Sequence, residues 1–284
     1  MSNRDWFVDQ SLRDTGFFAR RVLGHDYDKM AVTQPDGKVV QVLANKPHGG
    51  IRATGPHKTI GEFLDNQNGR NKLLLAPRGS YKSTFLTAFC SRMLIRNRKI
   101  RIFYGMYTLK EAISKVTAIR DGLVQNDVIR EIWGNLKGSV WRKEQFNIAG
   151  SDPSAQNCSV EAYGLDKPKT GGHPDIIIGD DLVQEENSRT PEGLAATIDV
   201  VKRFSPLLTN GGVLYLTGTR YAQQDLYNWI MTEMPDDFDI LSMDAGVEIQ
   251  KDDMGRLFLR GKPTFAHLSL ETLAGHLRKM GNDI

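Results

Sequence analysis

Three short runs carry residues whose types and spacing suit phosphate chemistry. In Ala76-Pro77-Arg78-Gly79-Ser80-Tyr81-Lys82-Ser83-Thr84 a lysine and two hydroxyl residues follow a tight turn. The run lies between an apolar strand over 73–76 and a helical stretch over 82–97. Free N–H groups at a helix N-terminus, together with the macrodipole, bind anionic oxygens. Lys82 would then reach the β- and γ-phosphates of a nucleotide, and the Ser83 hydroxyl would join a magnesium shell. Against the pattern G-x-x-x-x-G-K-[ST], Lys82 and Ser83 are kept, while Ala76 stands for the first glycine and Tyr81 for the second. A tyrosine there must hold its ring clear of the phosphates. The competing reading is a plain strand–turn–helix with Lys82 on a solvated first turn, although a lysine opposes the dipole at that end.

The second run, Pro174-Asp175-Ile176-Ile177-Ile178-Gly179-Asp180-Asp181, closes a wholly apolar strand with two carboxylates, about a hundred residues after the first. Asp180 would hold magnesium through water, and Asp181 would orient or deprotonate an attacking water. An isolated Asp-Asp pair is more simply a solvated strand cap; the phosphate loop upstream favours the metal reading. The third run ends a strand over 213–216 in Thr217-Gly218-Thr219-Arg220, small hydroxyl residues around a glycine that suit a position beside a γ-phosphate. It is equally an ordinary strand end with a turn.

These runs need a frame that gathers strand ends. Continuously apolar strands over 73–76, 100–105, 175–178 and 213–216, with shorter ones over 159–163 and 239–243, alternate with helices over 82–97, 109–125, 191–204, 223–231 and 269–280. That pattern predicts a mostly parallel sheet covered on both faces, with every strand C-terminus on one edge. Residues 1–30 carry apolar side chains at near-helical spacing, and 31–58 read as short β-like runs around a Pro35-Asp36-Gly37 turn and a loop at 46–50.

Composition excludes several classes. The 284 residues are 40% hydrophobic and 25% charged, which suits one large globular domain or two small ones. The net charge of +3 permits a nucleic-acid partner without demanding one. No apolar run approaches the roughly 18 residues of a membrane helix, and the acidic, mixed N-terminus is unlike a signal peptide. Cys90 and Cys158 are the two cysteines, so neither a disulfide framework nor a cysteine zinc site is expected, and the six histidines lack zinc spacing. The expectation is a soluble protein of a reducing compartment.

Taken together, the three runs resemble the ATPase domain of the tailed-bacteriophage terminase large subunit, the DNA-packaging motor. The loop at 76–84 looks like that family's arginine-containing Walker A, with Tyr81 as the departure; Gly171 to Asp181 looks like its Walker B; Thr217 to Tyr221, continued by Asp225-Leu226-Tyr227, is similar to its coupling motif. The likeness covers roughly 57–280. It implies an α/β P-loop NTPase fold of the RecA/ASCE kind, with a small helical and loop region (1–58) packed on an ATPase domain (59–284), and no nuclease domain or nuclease activity. It also implies ATP and Mg2+ as ligands. Asp181, Lys82 and Arg78 would be catalytic. Pro77, Arg78, Gly79, Ser80, Tyr81, Lys82, Ser83, Thr84, Thr217, Gly218 and Thr219 would contact nucleotide, and Ser83 and Asp180 the metal. Beyond the chain it implies double-stranded DNA, a portal protein and a small terminase subunit as partners. A homo-oligomeric ring, usually a pentamer, would dock on a procapsid in the host cytoplasm, with no membrane and with a monomer possible in isolation. Arg101, Arg120 or Arg130 would supply a finger to a neighbour's site, and an adenine-contacting element would lie within 57–67. The alternatives are a helicase-like or small-molecule kinase P-loop enzyme and a nucleotide-binding assembly subunit that does not hydrolyse.

Five cations and no acid fall between Ser91 and Arg101: Arg92, Arg96, Arg98, Lys99 and Arg101. They read as a solvated helix C-terminus or as a sequence-blind grip on DNA phosphates. Lys167, Lys169 and His173 form a second candidate grip.

Overall fold

The computed structural model describes residues 2–25, 27–33, 39–45, 51–166, 171–184, 187, 190–220, 224–252 and 257–279. The turn at 35–37, the loop at 46–50, Lys167, Lys169 and Tyr221 lie outside the described residues. Helices α1 (Asn3–Arg13) and α2 (Thr15–Phe17), the latter continuing as a π-helical turn (Phe18–Val22), precede a hairpin of β1 (Tyr27–Thr33) and β2 (Val39–Asn45) and helix α3 (Pro56–Asp65). Strands and helices then alternate: β3 (Asn71–Leu75), α4 (Lys82–Arg96), β4 (Ile102–Met106), α5 (Leu109–Gln125) and α6 (Asp127–Trp133). Next come β5 (Lys137–Trp141), β6 (Gln145–Ile148), β7 (Val160–Gly164), β8 (Ile176–Asp180), α7 (Pro191–Lys202), α8 (Phe204–Leu207) and β9 (Val213–Gly218). The chain closes with α9 (Leu226–Glu233), β10 (Phe238–Ser242), a β11 (Val247–Lys251)–β12 (Leu257–Gly261) hairpin and α10 (Leu270–Lys279).

One eight-stranded sheet organises the molecule, in the order β10-β3-β9-β8-β4-β7-β6-β5. All pairings from β10 to β7 are parallel; β7–β6 and β6–β5 are antiparallel. β4 and β8 are buried along their whole length, which is why they read as unbroken apolar runs. A single strand, β9, separates β3 from β8, which is the strand order of a RecA/ASCE-like P-loop NTPase. Register completes the arrangement: Leu75 is opposite Gly218 on one side of β9, and Asp180 is opposite Thr217 on the other. The ends of the three motif-bearing strands therefore meet at one level of one edge.

Local chemistry sets the helix starts. A reciprocal Thr108–Glu111 capping box opens α5, and Asn126, Thr190 and Asp225 each cap the helix that follows. Two expectations shift accordingly. The helix expected over 191–204 breaks after Lys202 into α7 and α8, and the one expected from 223 starts only at Leu226, because Asp225 accepts from the Asn228 N–H as its cap. The antiparallel extension β5–β6 and the β11–β12 hairpin were not expected.

Two apolar clusters cover the sheet faces, one built on α4, α5 and the N-terminal turn, the other on α7, α8 and α9. On the first face Arg92 departs from both readings given for its basic run. It is 1% exposed and donates to Asp65, Thr15 Oγ1 and the Leu12 carbonyl, tying α4 to α1, α2 and α3. Arg92 thus neither caps a solvated helix end nor reaches DNA, whereas Arg96 and Lys99 are exposed. Among the described residues no helix is long and apolar enough to cross a membrane. Removing one member of a buried ion pair leaves an uncompensated charge, so Arg92→Met should cost about 3 kcal/mol or more in denaturant unfolding. Arg96→Met should cost less than about 0.5 kcal/mol; equal, small losses would contradict the tie.

Candidate functional site

The loop between β3 and α4 turns through two left-handed residues, Gly79 at φ 81° and Tyr81 at φ 67°. Tyr81 thus takes the backbone shape for which glycine is usual, at a cost on the order of 1–2 kcal/mol. Its ring packs against His267 at 4.8 Å and His57 at 5.7 Å between centroids, so it is held by partners and does not fill the loop. A cavity of about 450 Å³ remains beside Arg78, Lys82, Ser83, Thr84 and Asp181, and His267 and Thr272 line it too.

Lys82 is only 5% exposed, at the first position of α4. Its Nζ donates to the Pro77 carbonyl at 3.3 Å and to Thr219 Oγ1 at 3.1 Å, and Thr219 Oγ1 donates to the Ala76 carbonyl at 3.2 Å. The third motif is thereby stitched to the first. Asp180, fully buried, accepts from three hydroxyls on three elements: Thr217 at 2.7 Å, Tyr104 at 2.8 Å and Ser83 at 3.1 Å. Asp181 leaves the strand at φ 48°, a region that aspartate tolerates better than most residues. Its N–H donates to the Thr217 carbonyl, while its Oδ1 is buried with no hydrogen-bond partner. Ser80 Oγ is likewise buried and unpartnered. Such orphaned polar atoms beside a cavity call for a polar occupant.

The charges respond to this burial. Desolvation raises the Asp181 carboxyl from 3.8 to about 6, with Asp180 adding repulsion and Lys82 pulling the other way. Burial lowers the Lys82 ammonium below its ordinary value, against the attraction of Asp181 and Asp180. The Tyr104 hydroxyl is pushed well up by burial and by Asp180, so it stays a donor. His57, desolvated and next to His267, falls to about 4 and is neutral at physiological pH.

Of the residues expected at the site, Arg78, Gly79, Ser80, Tyr81, Lys82, Ser83, Thr84 and Asp181 line the cavity. Pro77 and Thr219 stand behind it as partners of Lys82, Asp180 as the partner of Ser83, and Thr217 as a partner of Asp180. Gly218 serves packing: a Cβ there would overlap the Tyr227 ring. Arg101 is held by Asp175 where β8 begins, at the opposite edge of the sheet, while Arg120 pairs with Asp121 and Arg130 with Asp127. His57, in the region expected to touch adenine, is 2% exposed and packed behind Tyr81 and His267. Sequence reasoning missed Tyr104, His267 and Thr272. Tyr104 sits inside an apolar strand two residues before its end, and that position was its only signal; His267 is 188 residues from the Gly79 carbonyl it binds and had none.

The donor set suits a hard, oxygen-seeking ion. Ser83 Oγ and the Asp180 carboxylate are adjacent, and among the described residues no group of three or more His, Cys, Asp or Glu could hold a metal by itself. Magnesium, which keeps water and phosphate oxygens as ligands, fits such a sparse set.

No family model matches the sequence, nor does any curated protein. Solved structures similar to the chain include the bacteriophage HK97 large terminase, at a TM-score of 0.46 and 14% identity over 82% of this chain and 45% of that one. A Thermus phage P74-26 large terminase ATPase-domain mutant follows at 0.42 and 14%, over 62% and 76%. S. cerevisiae Dbp5, bound to Nup159, Gle1, IP6 and ADP, matches at 0.43 and 9%, over 68% and 49%. The chain thus spans about half the length of Dbp5 and of the HK97 protein.

A raised carboxyl pKa favours the folded state below the unfolded value of 3.8 and loses that contribution as pH rises through about 6. Asp181→Asn should therefore raise the ligand-free unfolding free energy at pH 8 by on the order of 1–3 kcal/mol, and the gain should shrink towards zero near pH 4. Pulse-free denaturant curves at the two pH values check this; a loss at pH 8 would contradict the buried-charge assignment.

Proposed function

We propose that the chain is a magnesium-dependent ATPase that powers movement of double-stranded DNA, as the ATPase part of a phage terminase large subunit. The observation that carries the catalytic half is the convergence of Lys82, Ser83 and the orphaned Asp181 on one cavity at the sheet edge, with Asp180 bonded to Ser83 behind it. The motor half is supported by the order and wording of the three motifs, and by the coupling-type strand end being bonded directly to the lysine.

In this reading the loop N–H groups and Lys82 bind the β- and γ-phosphates, the ammonium exchanging Pro77 and Thr219 for phosphate oxygens. Ser83 and Asp180 would hold magnesium, which supplies charge neutralisation on the phosphates. Tyr104 and Thr217 fix the Asp180 carboxylate so that it meets the ion without reorganising. Asp181, with an unpaired oxygen and a pKa near 6, accepts the proton of the attacking water. Arg78, on the cavity rim, would counter charge developing on the γ-phosphate. Because Lys82 Nζ binds Thr219, loss of the γ-phosphate would return the lysine to the β9 tip, a direct route from hydrolysis to strand movement. The Tyr81 departure is no obstacle, since its backbone already has the glycine conformation.

The ring on a procapsid portal, the small-subunit partner, the host-cytoplasmic setting and the trans-acting arginine belong to the same proposal, as does the division into a 1–58 region and a 59–284 ATPase domain.

Phosphate release with Mg-ATP tests it. The wild-type chain should hydrolyse ATP faster with duplex than with single-stranded DNA. Lys82→Ala should lose ATP binding, and Asp181→Asn should lower kcat by about 10²–10⁴-fold while still binding ATP. Since the base acts ionised, kcat/KM should fall about tenfold per unit as pH drops below about 6. Full turnover in Asp181→Asn would remove it as the base, and turnover indifferent to DNA would remove the motor.

A further inference from the structure

The cavity has walls beyond the loop and Asp181. Besides the loop residues and Asp181, the segment after the β11–β12 hairpin lines it through His267, Leu268 and Thr272. This segment is anchored, with Phe265 and Leu268 buried at 1% and 4% exposure and the Thr264 N–H bonded to the Ala245 carbonyl. The segment also grips the phosphate loop: His267 Nε2 donates to the Gly79 carbonyl at 2.7 Å, which fixes the Nε2–H tautomer in that contact.

The imidazole of His267 belongs to a cluster of rings that includes the buried His57. It lies on His57 with 5.4 Å between centroids and 23° between planes, and against Tyr81 at 4.8 Å. His57 is fixed in turn, its Nδ1 accepting from the Arg52 N–H at 3.0 Å. A partly exposed aromatic ring with its tilt set by a stacked neighbour is a surface on which a flat heterocycle can stack. At its side, Thr272 is placed by Ser269, which accepts the Thr272 N–H at 3.1 Å and bonds its hydroxyl at 3.0 Å. Thr272 lines the same cavity, and its hydroxyl is the kind of group that suits the polar edge of a base or a ribose.

We propose that the purine nucleoside of the bound nucleotide packs on His267 beside Thr272, so that the segment following the hairpin, rather than the 57–67 region, recognises the base. His57 and Tyr81 then support the platform from behind. The inference rests on the nucleotide reading of the phosphate loop, and it is separable from it experimentally.

The test compares the affinities of ATP and inorganic tripolyphosphate, each with magnesium, for the full chain and three variants, with apo thermal melts to confirm folding. His267→Ala should weaken ATP about tenfold, the worth of one stacking contact, and leave tripolyphosphate within about twofold. His267→Phe keeps a flat ring but loses the bond to Gly79, and should recover most of the ATP affinity. Thr272→Val should weaken ATP but not tripolyphosphate. Equal losses for both ligands without rescue by Phe would overturn the proposal, leaving His267 as a prop for the loop. Equal wild-type affinity for the two ligands would also overturn it. Failure of the wild type to bind either ligand would sink the nucleotide reading itself.

Discussion

Lys82 sets a positive charge at the end of a helix where the backbone already presents positive partial charge, and it is buried there. Desolvation and dipole both oppose it. The surroundings answer with the Pro77 carbonyl, the Thr219 hydroxyl and the nearby negative charge of Asp180 and Asp181. These answers come from the ends of three strands, β3, β9 and β8, which can meet only because β9 lies between the other two and the register aligns their last residues. The sheet order is thus as much a property of the site as of the fold.

Around that charge the structure tolerates local cost. Tyr81 and Asp181 both occupy left-handed backbone conformations, and Asp181 and Ser80 keep buried polar atoms unpaired. Strain and unsatisfied polar groups gathered within a few residues mark this stretch off from the rest of the described fold, since such costs cluster where a structure does work. The remainder of the chain supplies the offset: two apolar faces on the sheet, and the Arg92–Asp65 tie that fastens the N-terminal helices to the helix carrying Lys82.

Much of this was legible in the amino-acid order, for reasons that also explain the failures. β4, β8 and β9 are buried on both faces, so their apolarity is continuous, and the residues at their tips are nearest neighbours in sequence to the strands that place them. That the loop after β3, Asp180, Asp181 and Thr217–Thr219 lie together at one sheet edge could be read for that reason. β5, with its run Lys137-Gly138-Ser139-Val140-Trp141, is mostly exposed or half-buried at the sheet edge and carries little pattern. Arg92 was misread by charge alone, although it follows Phe85, Ala88 and Phe89 on the inner stripe of α4 and its spacing pointed inward. His267 reaches Gly79 only through the tertiary path of the chain, and nothing within a window around residue 267 marks it.

The central claim is that Lys82, Ser83 and Asp180 form a cradle already set for a magnesium-bound triphosphate. A crystal structure with magnesium and a non-hydrolysable ATP analogue examines it most directly. The account predicts that Lys82 Nζ transfers its hydrogen bonds from Pro77 and Thr219 to phosphate oxygens, with the ion between Ser83 and Asp180. An analogue bound elsewhere, with Lys82 still on Pro77 and Thr219, would contradict it.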